Sequence, residues 1–261
     1  MVGTAPSAAQ ESVTCQVDMK IAGTQFHLKL SVPTAPVPPG AVLPVLHAFS
    51  EAIEADVSSN LEAQGKQVSC RAGCGSCCRQ LVPITEIEAR DIAELVDTLP
   101  EERQTEIKRR FAEASRRLDE AGLLDILRHL DRVNPENRQA LGLDYFSQGI
   151  PCPFLENGSC SIHSQRPLIC REYLVTSPAE HCANPAAERV EGVKLPVRLS
   201  EVLARLPDSS TSGASPRVVL TLALEWAANH PGVSPARPGP EWVTRLLQLL
   251  SGRDLPGPTG E

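Results

Sequence analysis

The sequence predicts a mainly α-helical protein with a small N-terminal β-hairpin and an irregular, cysteine-rich metal-binding centre. Three observations predict this fold class. Apolar residues recur every three to four positions over most of the chain, and strict alternation is confined to residues 13–32. Eight of the nine cysteines fall into two short groups. We therefore expect the helices between the groups to bring the two groups together in space.

The N-terminal alternation is typical of a β-hairpin. Apolar side chains alternate with polar ones over residues 13–21 and 26–32, on either side of a turn expected at residues 22–25. The ninth cysteine, Cys15, occupies an inward position of the first strand. A free cysteine in such a position behaves as a small apolar residue. We therefore exclude Cys15 from the metal site.

The helices follow from apolar periodicity and from Pro and Gly boundaries. Two capping boxes, in which Thr is followed three residues later by Glu, predict helix starts at Thr85–Glu88 and at Thr98–Glu101. The expected helical segments are 41–63, 86–97, 101–118, 122–133, 135–143, 164–172, 199–206, 218–229 and 241–250.

Composition divides the chain into four parts. Residues 1–64 hold the hairpin and one helix, and residues 65–190 form a cysteine-cluster metal-binding domain with a helical insert. Residues 191–250 form a C-terminal helical segment, since no cysteine follows Cys182. The Pro/Gly-rich ending, 251–261, is expected to be a disordered tail.

The two cysteine groups are the candidate metal ligands. The first lies in a Gly-rich loop and the second in a segment with few apolar residues, so metal ligation is the available means of fixing it. Zinc is bound by four thiolates in many proteins, and iron–sulfur clusters likewise take four cysteines, so eight thiols supply two complete sets. Adjacent Cys77 and Cys78 would point to opposite sides of an extended backbone. The spacing leaves open whether there is one centre or two. The predicted ligands are Cys70, Cys74, Cys77, Cys78, Cys152, Cys160, Cys170 and Cys182.

Other residues near the cysteines have simpler interpretations. His163 and His181 lie among the second group, but with eight thiols available we expect them to be neighbours of the site and not ligands. Arg166 and Arg171 could lower the pKa of nearby thiols or could be surface charges, and we expect Glu172 to be a surface charge.

The CxxxCxxC spacing of Cys70, Cys74 and Cys77 also matches the spacing by which radical-SAM enzymes hold a 4Fe-4S cluster. A helix precedes the loop and no β/α alternation follows it, so we reject that class.

Charge and hydropathy restrict the partners and the compartment. The net charge of −7 argues against a nucleic-acid partner. Residues 1–10 lack the basic and apolar regions of a signal peptide, and the most apolar run, 218–224, is far shorter than the roughly 20 residues of a membrane-spanning helix. We expect a cytoplasmic protein without membrane association. Thiols stay reduced in the cytoplasm, so dense cysteines there indicate metal or redox chemistry.

The cysteine segments resemble a known family. Cys74-Gly-Ser-Cys77-Cys78-Arg79, followed by Cys152-Pro-Phe-Leu and by Arg166-Pro-Leu-Ile-Cys170-Arg-Glu-Tyr173, is similar to the CxxCxxCC cysteine-cluster family, also called YkgJ-like, which is described as a zinc- or iron-chelating domain. The resemblance covers roughly residues 70–182 and implies a metal site carried by the eight cysteines. The first spacing here is CxxxC, where the family name implies CxxC.

These observations lead to one main hypothesis and two alternatives. The main hypothesis is a metal-binding protein that holds iron–sulfur or zinc through two groups of four cysteines, in a structural or redox role. Flagellin lysine N-methylases resemble the chain in cysteine pattern, and this resemblance favours a 4Fe-4S cluster over Zn²⁺. The alternatives are an iron–sulfur-dependent protein lysine methyltransferase-like enzyme, and a module stapled by zinc that docks an unknown protein partner. Enzymatic activity is left open.

Overall fold

The computed structural model describes residues 11–21, 24–71, 73–207, 216–232 and 235–251. This part of the chain is mainly helical with an N-terminal antiparallel strand pair, which confirms the predicted fold class. The helices are α1 (Leu43–Ala63), α2 (Glu86–Thr98), α3 (Glu101–Glu120), α4 (Leu124–Arg128), α5 (Arg138–Ser147), α6 (Leu168–Glu172), α7 (Leu199–Ala204), α8 (Ala223–Asn229) and α9 (Gly239–Ser251). The strands are β1 (Ser12–Ile21), β2 (Thr24–Pro33), β3 (Pro36–Val37), β4 (Pro83–Thr85), β5 (Leu155–Glu156), β6 (Ser159–Cys160), β7 (Arg217–Val219) and β8 (Arg237–Pro238).

The N-terminal hairpin has the predicted pairing. β1 and β2 run antiparallel from Ser12 opposite Pro33 to Ile21 opposite Thr24. Residues 22 and 23 of the predicted turn lie outside the described residues. Cys15 is half-buried and packs against the core beneath the sheet, as expected for a small apolar side chain.

A first core joins the two ends of the chain. Leu46 and Phe49 of α1 pack with the hairpin and with helices α7 and α9. Trp242 of α9 is fully buried, and its indole N–H donates to the carbonyl oxygen of Val37 at 2.9 Å. The core therefore combines residues of the predicted parts 1–64 and 191–250. The four-part division itself stays a prediction, and residues 252–261 of the predicted tail lie outside the described residues.

Two further cores hold the helical insert, which consists of helices α2, α3 and α4 between the two cysteine groups. The predicted apolar stripe of α3 is buried along its whole length, with Ile107 and Phe111 in one core and Ala114 and Leu118 in the next. Phe111 meets Phe154 edge-on, with ring centroids 5.6 Å apart. Because Phe154 lies in the second cysteine segment, this contact attaches that segment to α3.

The predicted helix 218–229 is wrong in its first part. Val218 and Val219 belong to β7, which pairs antiparallel with β4 and places Val218 opposite Ile84. A short 3-10 helix follows at Leu220–Leu222, and α8 begins only at Ala223. Branched side chains that find a strand partner distant in sequence override a helical periodicity in this way.

The predicted capping box at Thr98 is also wrong. Thr98 is the last residue of α2, and its hydroxyl donates to the carbonyl oxygen of Leu95 at 2.7 Å. The N-cap of α3 is Pro100, so Glu101 is the first helical residue and not the third. The box at Thr85 is confirmed, with the Thr85 hydroxyl accepting from the amide of Glu88.

Within the described ranges, no helix combines the length and the apolar character needed to cross a membrane. The predicted cytoplasmic location stays a prediction.

Asp91 on α2 gives a pH-dependent prediction. Burial, followed by the charges of Glu94 and Glu88, raises the pKa of Asp91 from 3.8 to about 6. Because the folded-state pKa exceeds the unfolded one, this group contributes stability below the unfolded value that is lost as the pH rises through about 6. Asp91→Asn is therefore expected to raise the urea midpoint at pH 7.5, with a much smaller gain at about pH 4.5. Equal gains at both pH values would contradict this assignment.

Candidate metal centre

The first cysteine group is shaped by two glycines and a tight turn. Gly73 and Gly75 have φ angles of 84° and 49°, in the left-handed region that favours glycine. A 3-10 helix follows at Ser76–Arg79, in which the amide of Cys78 donates to the carbonyl of Gly75 at 3.1 Å. Cys77 and Cys78 therefore lie in a turn and not in an extended backbone. The expectation that they face opposite sides does not hold, because both line the same cavity.

The second group begins with a two-stranded hairpin. β5 and β6 are joined by Asn157-Gly158, whose φ angles of 49° and 77° are typical of a type I′ turn. Glu156 of β5 accepts hydrogen bonds from Arg103 at 2.6 Å and from Arg110 at 2.7 Å. These two arginines of α3 hold the hairpin, and with it Cys160, against the helical insert.

The two groups are in direct contact. The amide of Cys152 donates to the carbonyl of Cys78 at 2.7 Å, and the amide of Gly73 donates to the Ser159 hydroxyl at 3.1 Å. The hairpin turn approaches the first loop so closely that a Cβ on Gly158 would lie 2.7 Å from the carbonyl oxygen of Gly73. Backbone contacts, and not only side chains, thus hold the groups together.

Cys170 is held by the short helix α6, whose first turn is fixed by a buried carboxylate. Glu88 is only 3% exposed and accepts from the amide of Leu168 at 2.8 Å. The same carboxylate accepts from the amide and the hydroxyl of Thr85, both at 2.9 Å. The capping box indicated the local bonds to Thr85. Nothing in the sequence indicated the bond to Leu168, which lies 80 positions away.

The end of α6 is fixed by a second buried carboxylate. Glu172 is 8% exposed and accepts from the amide of Ser200 at 2.8 Å and from its hydroxyl at 2.6 Å. The expectation that Glu172 is a surface charge is therefore wrong, because its oxygens cap the first turn of α7. Arg171, 4% exposed, donates to the carbonyls of Ser164 and Arg166 and pairs with Glu51 at 3.3 Å.

One cavity collects thiols from both groups. It has a volume of ≈ 370 Å³ and lies beside α6. The cysteines that line it are Cys77, Cys78, Cys152, Cys160 and Cys170. We call these five the inner thiols. Two of them come from the first group and three from the second, so the structure brings these predicted site residues together.

The remaining three cysteines, Cys70, Cys74 and Cys182, do not line the cavity, and we call them the outer set. The Cys70 thiol donates to the carbonyl of Tyr173 at 3.9 Å, and the Tyr173 hydroxyl accepts from Gln80 at 3.2 Å. Cys182 lies on the 3-10 helix Ala179–Ala183, which packs against the turn carrying Cys77 and Cys78. Tyr173 therefore contacts Cys70 of the outer set and also lines the cavity.

Burial raises the pKa of three of the inner thiols. It raises the pKa of Cys152 to about 12 and also raises the pKa of Cys160 and Cys170. A hydrogen bond to Cys78, followed by burial, raises the pKa of Cys77. Because thiolates and not thiols bind metal, metal binding at this site must release protons.

Arg166 supplies positive charge beside the thiols. Its charge acts to lower the pKa of Cys70, Cys77 and Cys160, against the larger effects that raise it. Its Nε–H is buried and finds no acceptor among the described residues. A metal-bound thiolate or sulfide is an acceptor of the kind this donor lacks, so the residues present fit a thiolate-bound zinc or iron–sulfur group. As the side chains stand, no three or more Cys, His, Asp or Glu residues in the described ranges are grouped so that they could hold a metal ion.

Both histidines of the second segment are engaged by neighbours. His163 Nε2 accepts from Arg166 at 2.9 Å. His181 Nδ1 donates to the carbonyl of Arg189 at 3.0 Å, and its Nε2 lies 3.8 Å from Glu188. These contacts agree with the expectation that neither histidine is a ligand, which stays a prediction.

Comparison with known proteins identifies this segment. Searches of curated proteins and of solved structures returned no match. Residues 69–189 match the family model CxxCxxCC, "Putative zinc- or iron-chelating domain", which supports zinc or iron chelation by this part of the chain. The methyltransferase-like and partner-docking alternatives stay predictions. The segment 69–189, which carries all eight clustered cysteines, is therefore a domain of the CxxCxxCC family.

Proposed function

We propose that the chain is a metal-binding protein whose eight clustered cysteines hold iron–sulfur, in a redox or structural role. The observation that carries this proposal is the single cavity lined by the five inner thiols from both cysteine groups. Zn–S bonds of about 2.3 Å need only a very small space between four sulfurs. The cavity volume of ≈ 370 Å³ is far larger and favours a cluster over a single zinc ion.

We assign the eight thiols to two metal groups. Four of the inner thiols would hold one group in the cavity. Cys70, Cys74 and Cys182 would hold a second group, completed by Cys77 or Cys78 from the adjacent pair. A bound iron–sulfur cluster supplies one-electron transfer. Beside such a cluster, Arg166 places a positive charge that acts on the thiols, and Gln80 donates to the hydroxyl of Tyr173 at 3.2 Å.

Metal and sulfide analysis of anaerobically purified protein tests the proposal. We expect iron with acid-labile sulfide in about equal amounts, about four of each per cluster, together with visible absorbance from thiolate-to-iron charge transfer. A colourless protein with stoichiometric zinc would contradict the iron–sulfur assignment and leave metal binding intact. A folded, metal-free protein would contradict both.

Serine substitutions identify the ligands. Cys170→Ser is expected to lose the metal group in the cavity, about half of the total metal, because it removes an inner thiol from a helix that is fixed at both ends. Cys15→Ser is the matched control, since Cys15 is also half-buried but lies in the hairpin, and it should keep the wild-type metal content. Wild-type metal content in Cys170→Ser, measured per chain on folded protein, would remove Cys170 from the ligand set.

A further inference from the structure

The cavity extends beyond its thiols. Its other walls include Leu81, Val82 and Leu220, which are apolar, and the polar side chains of Gln80 and Arg198. The backbone fixes the apolar part, because the amide of Leu220 donates to the carbonyl of Val82 at 2.9 Å. The cavity volume of ≈ 370 Å³ includes both the end lined by the inner thiols and this apolar end, which lies beside them.

Arg198 is the exposed cation of this cavity. It immediately precedes α7, its charge acts on the Glu172 carboxylate, and its side chain makes no hydrogen bond or ion pair within the described ranges. Other arginines nearby are committed: Arg217 pairs with Glu201 at 2.8 Å, and Arg171 pairs with Glu51. Arg198 therefore lies at the solvent side of the cavity, and its N–H donors are free to bind a ligand even though its charge acts on Glu172.

The other charged groups of the cavity wall are already engaged. Glu172 is the acidic residue that lines the cavity, and both of its oxygens accept from Ser200. Arg166 has its Nη1 on His163 and its Nη2 3.7 Å from Glu54, and its charge acts on the thiols. A ligand that enters from solvent thus meets an available cation and apolar walls.

We propose that the cavity binds a small amphiphilic anion, with its apolar body against Leu81, Val82 and Leu220 and its anionic group on Arg198. The inference rests on the proposed function in one respect: the bound metal group fills the end of the cavity that the inner thiols line. The ligand would then lie next to the metal centre. This assigns to the chain a small-molecule site of a stated chemical class, an aliphatic monoanion.

Isothermal titration calorimetry on the metal-loaded full chain tests this site with octanoate as the probe. We expect saturable binding of one octanoate per chain, and binding of n-octylammonium at least about tenfold weaker, because the two probes share an apolar body and differ in charge. Arg198→Gln is expected to raise the Kd for octanoate about fivefold, as for an exposed charge pair, and Arg198→Lys to restore most of the affinity.

Arg79→Gln is the matched control. Arg79 is also exposed and also makes no ion pair among the described residues, but it does not line the cavity. Its variant should bind octanoate as the wild type does. Equal Kd values for the two glutamine variants, or no saturable heat with octanoate, would overturn the proposal.

Metal content is measured on each sample, because it separates the proposed anion site from the proposed metal-binding function. Metal-loaded chain that does not bind octanoate overturns the anion site and leaves the metal site standing. Metal-free chain that binds octanoate through Arg198 supports the anion site and counts against the proposed function.

Discussion

Glu88→Ala is expected to destabilise the protein by about 3 kcal/mol and to lower its metal content. The buried carboxylate accepts three hydrogen bonds, from the amide and hydroxyl of Thr85 and from the amide of Leu168. Its removal leaves the Leu168 amide buried without an acceptor, and this amide begins the helix that carries Cys170. Urea denaturation and metal analysis of the same samples measure the two effects.

Glu94→Ala is the control for Glu88→Ala. Glu94 lies on the same helix but is exposed, so its removal should change the unfolding free energy by less than about 0.5 kcal/mol and should leave the metal in place. Glu88→Gln sharpens the comparison. It keeps the shape but replaces one accepting oxygen by an NH₂ group, so Thr85 or Leu168 must lose its acceptor. Wild-type stability in Glu88→Gln would show that the carboxylate does not clamp the two helices.

Gly158→Ala is the second substitution with a large expected effect, a loss of about 3 kcal/mol together with bound metal. Two costs add. Gly158 has φ of 77°, where a side chain costs about 1–2 kcal/mol, and its Cβ would lie 2.7 Å from the carbonyl oxygen of Gly73. Backbone cannot yield as a flexible side chain can, so the hairpin must move away from the first cysteine loop.

Gly149→Ala is the control, because it carries only the first of these costs. Gly149 has φ of 60°, but a Cβ there would meet nothing within 4 Å. It should lose about 1 kcal/mol and keep its metal. If the two alanine variants have the same unfolding free energy and the same metal content, the close approach of the hairpin to the loop does not hold the two cysteine groups together.

Local patterns account for the parts of the fold that could be predicted. Alternation predicts the hairpin, periodicity predicts the buried stripe of α3, and the box at Thr85 predicts the start of α2. Each of these signals lies within a few residues of the structure that it predicts. The cysteine motif likewise predicted the family of the domain, whereas the ligand set stays a prediction.

Contacts between distant segments account for the rest. Val218 and Val219 form a strand only because β4 is beside them. Glu172 is buried only because Ser200 supplies donors to both of its oxygens. The division into inner and outer thiols depends on contacts between loops that are distant in sequence. The cysteine spacing contains no information about such contacts, so the sequence left the arrangement of Cys77 and Cys78 open.

The bond between Trp242 and Val37 has a consequence for the order of events during synthesis. The two residues are separated by 205 positions, so the first core cannot close until the C-terminal helix has left the ribosome. The cysteine domain at 69–189 emerges well before that moment. Its thiols are therefore available to metal while the N-terminal hairpin still lacks α9, so metal binding does not have to wait for the two ends of the chain to meet.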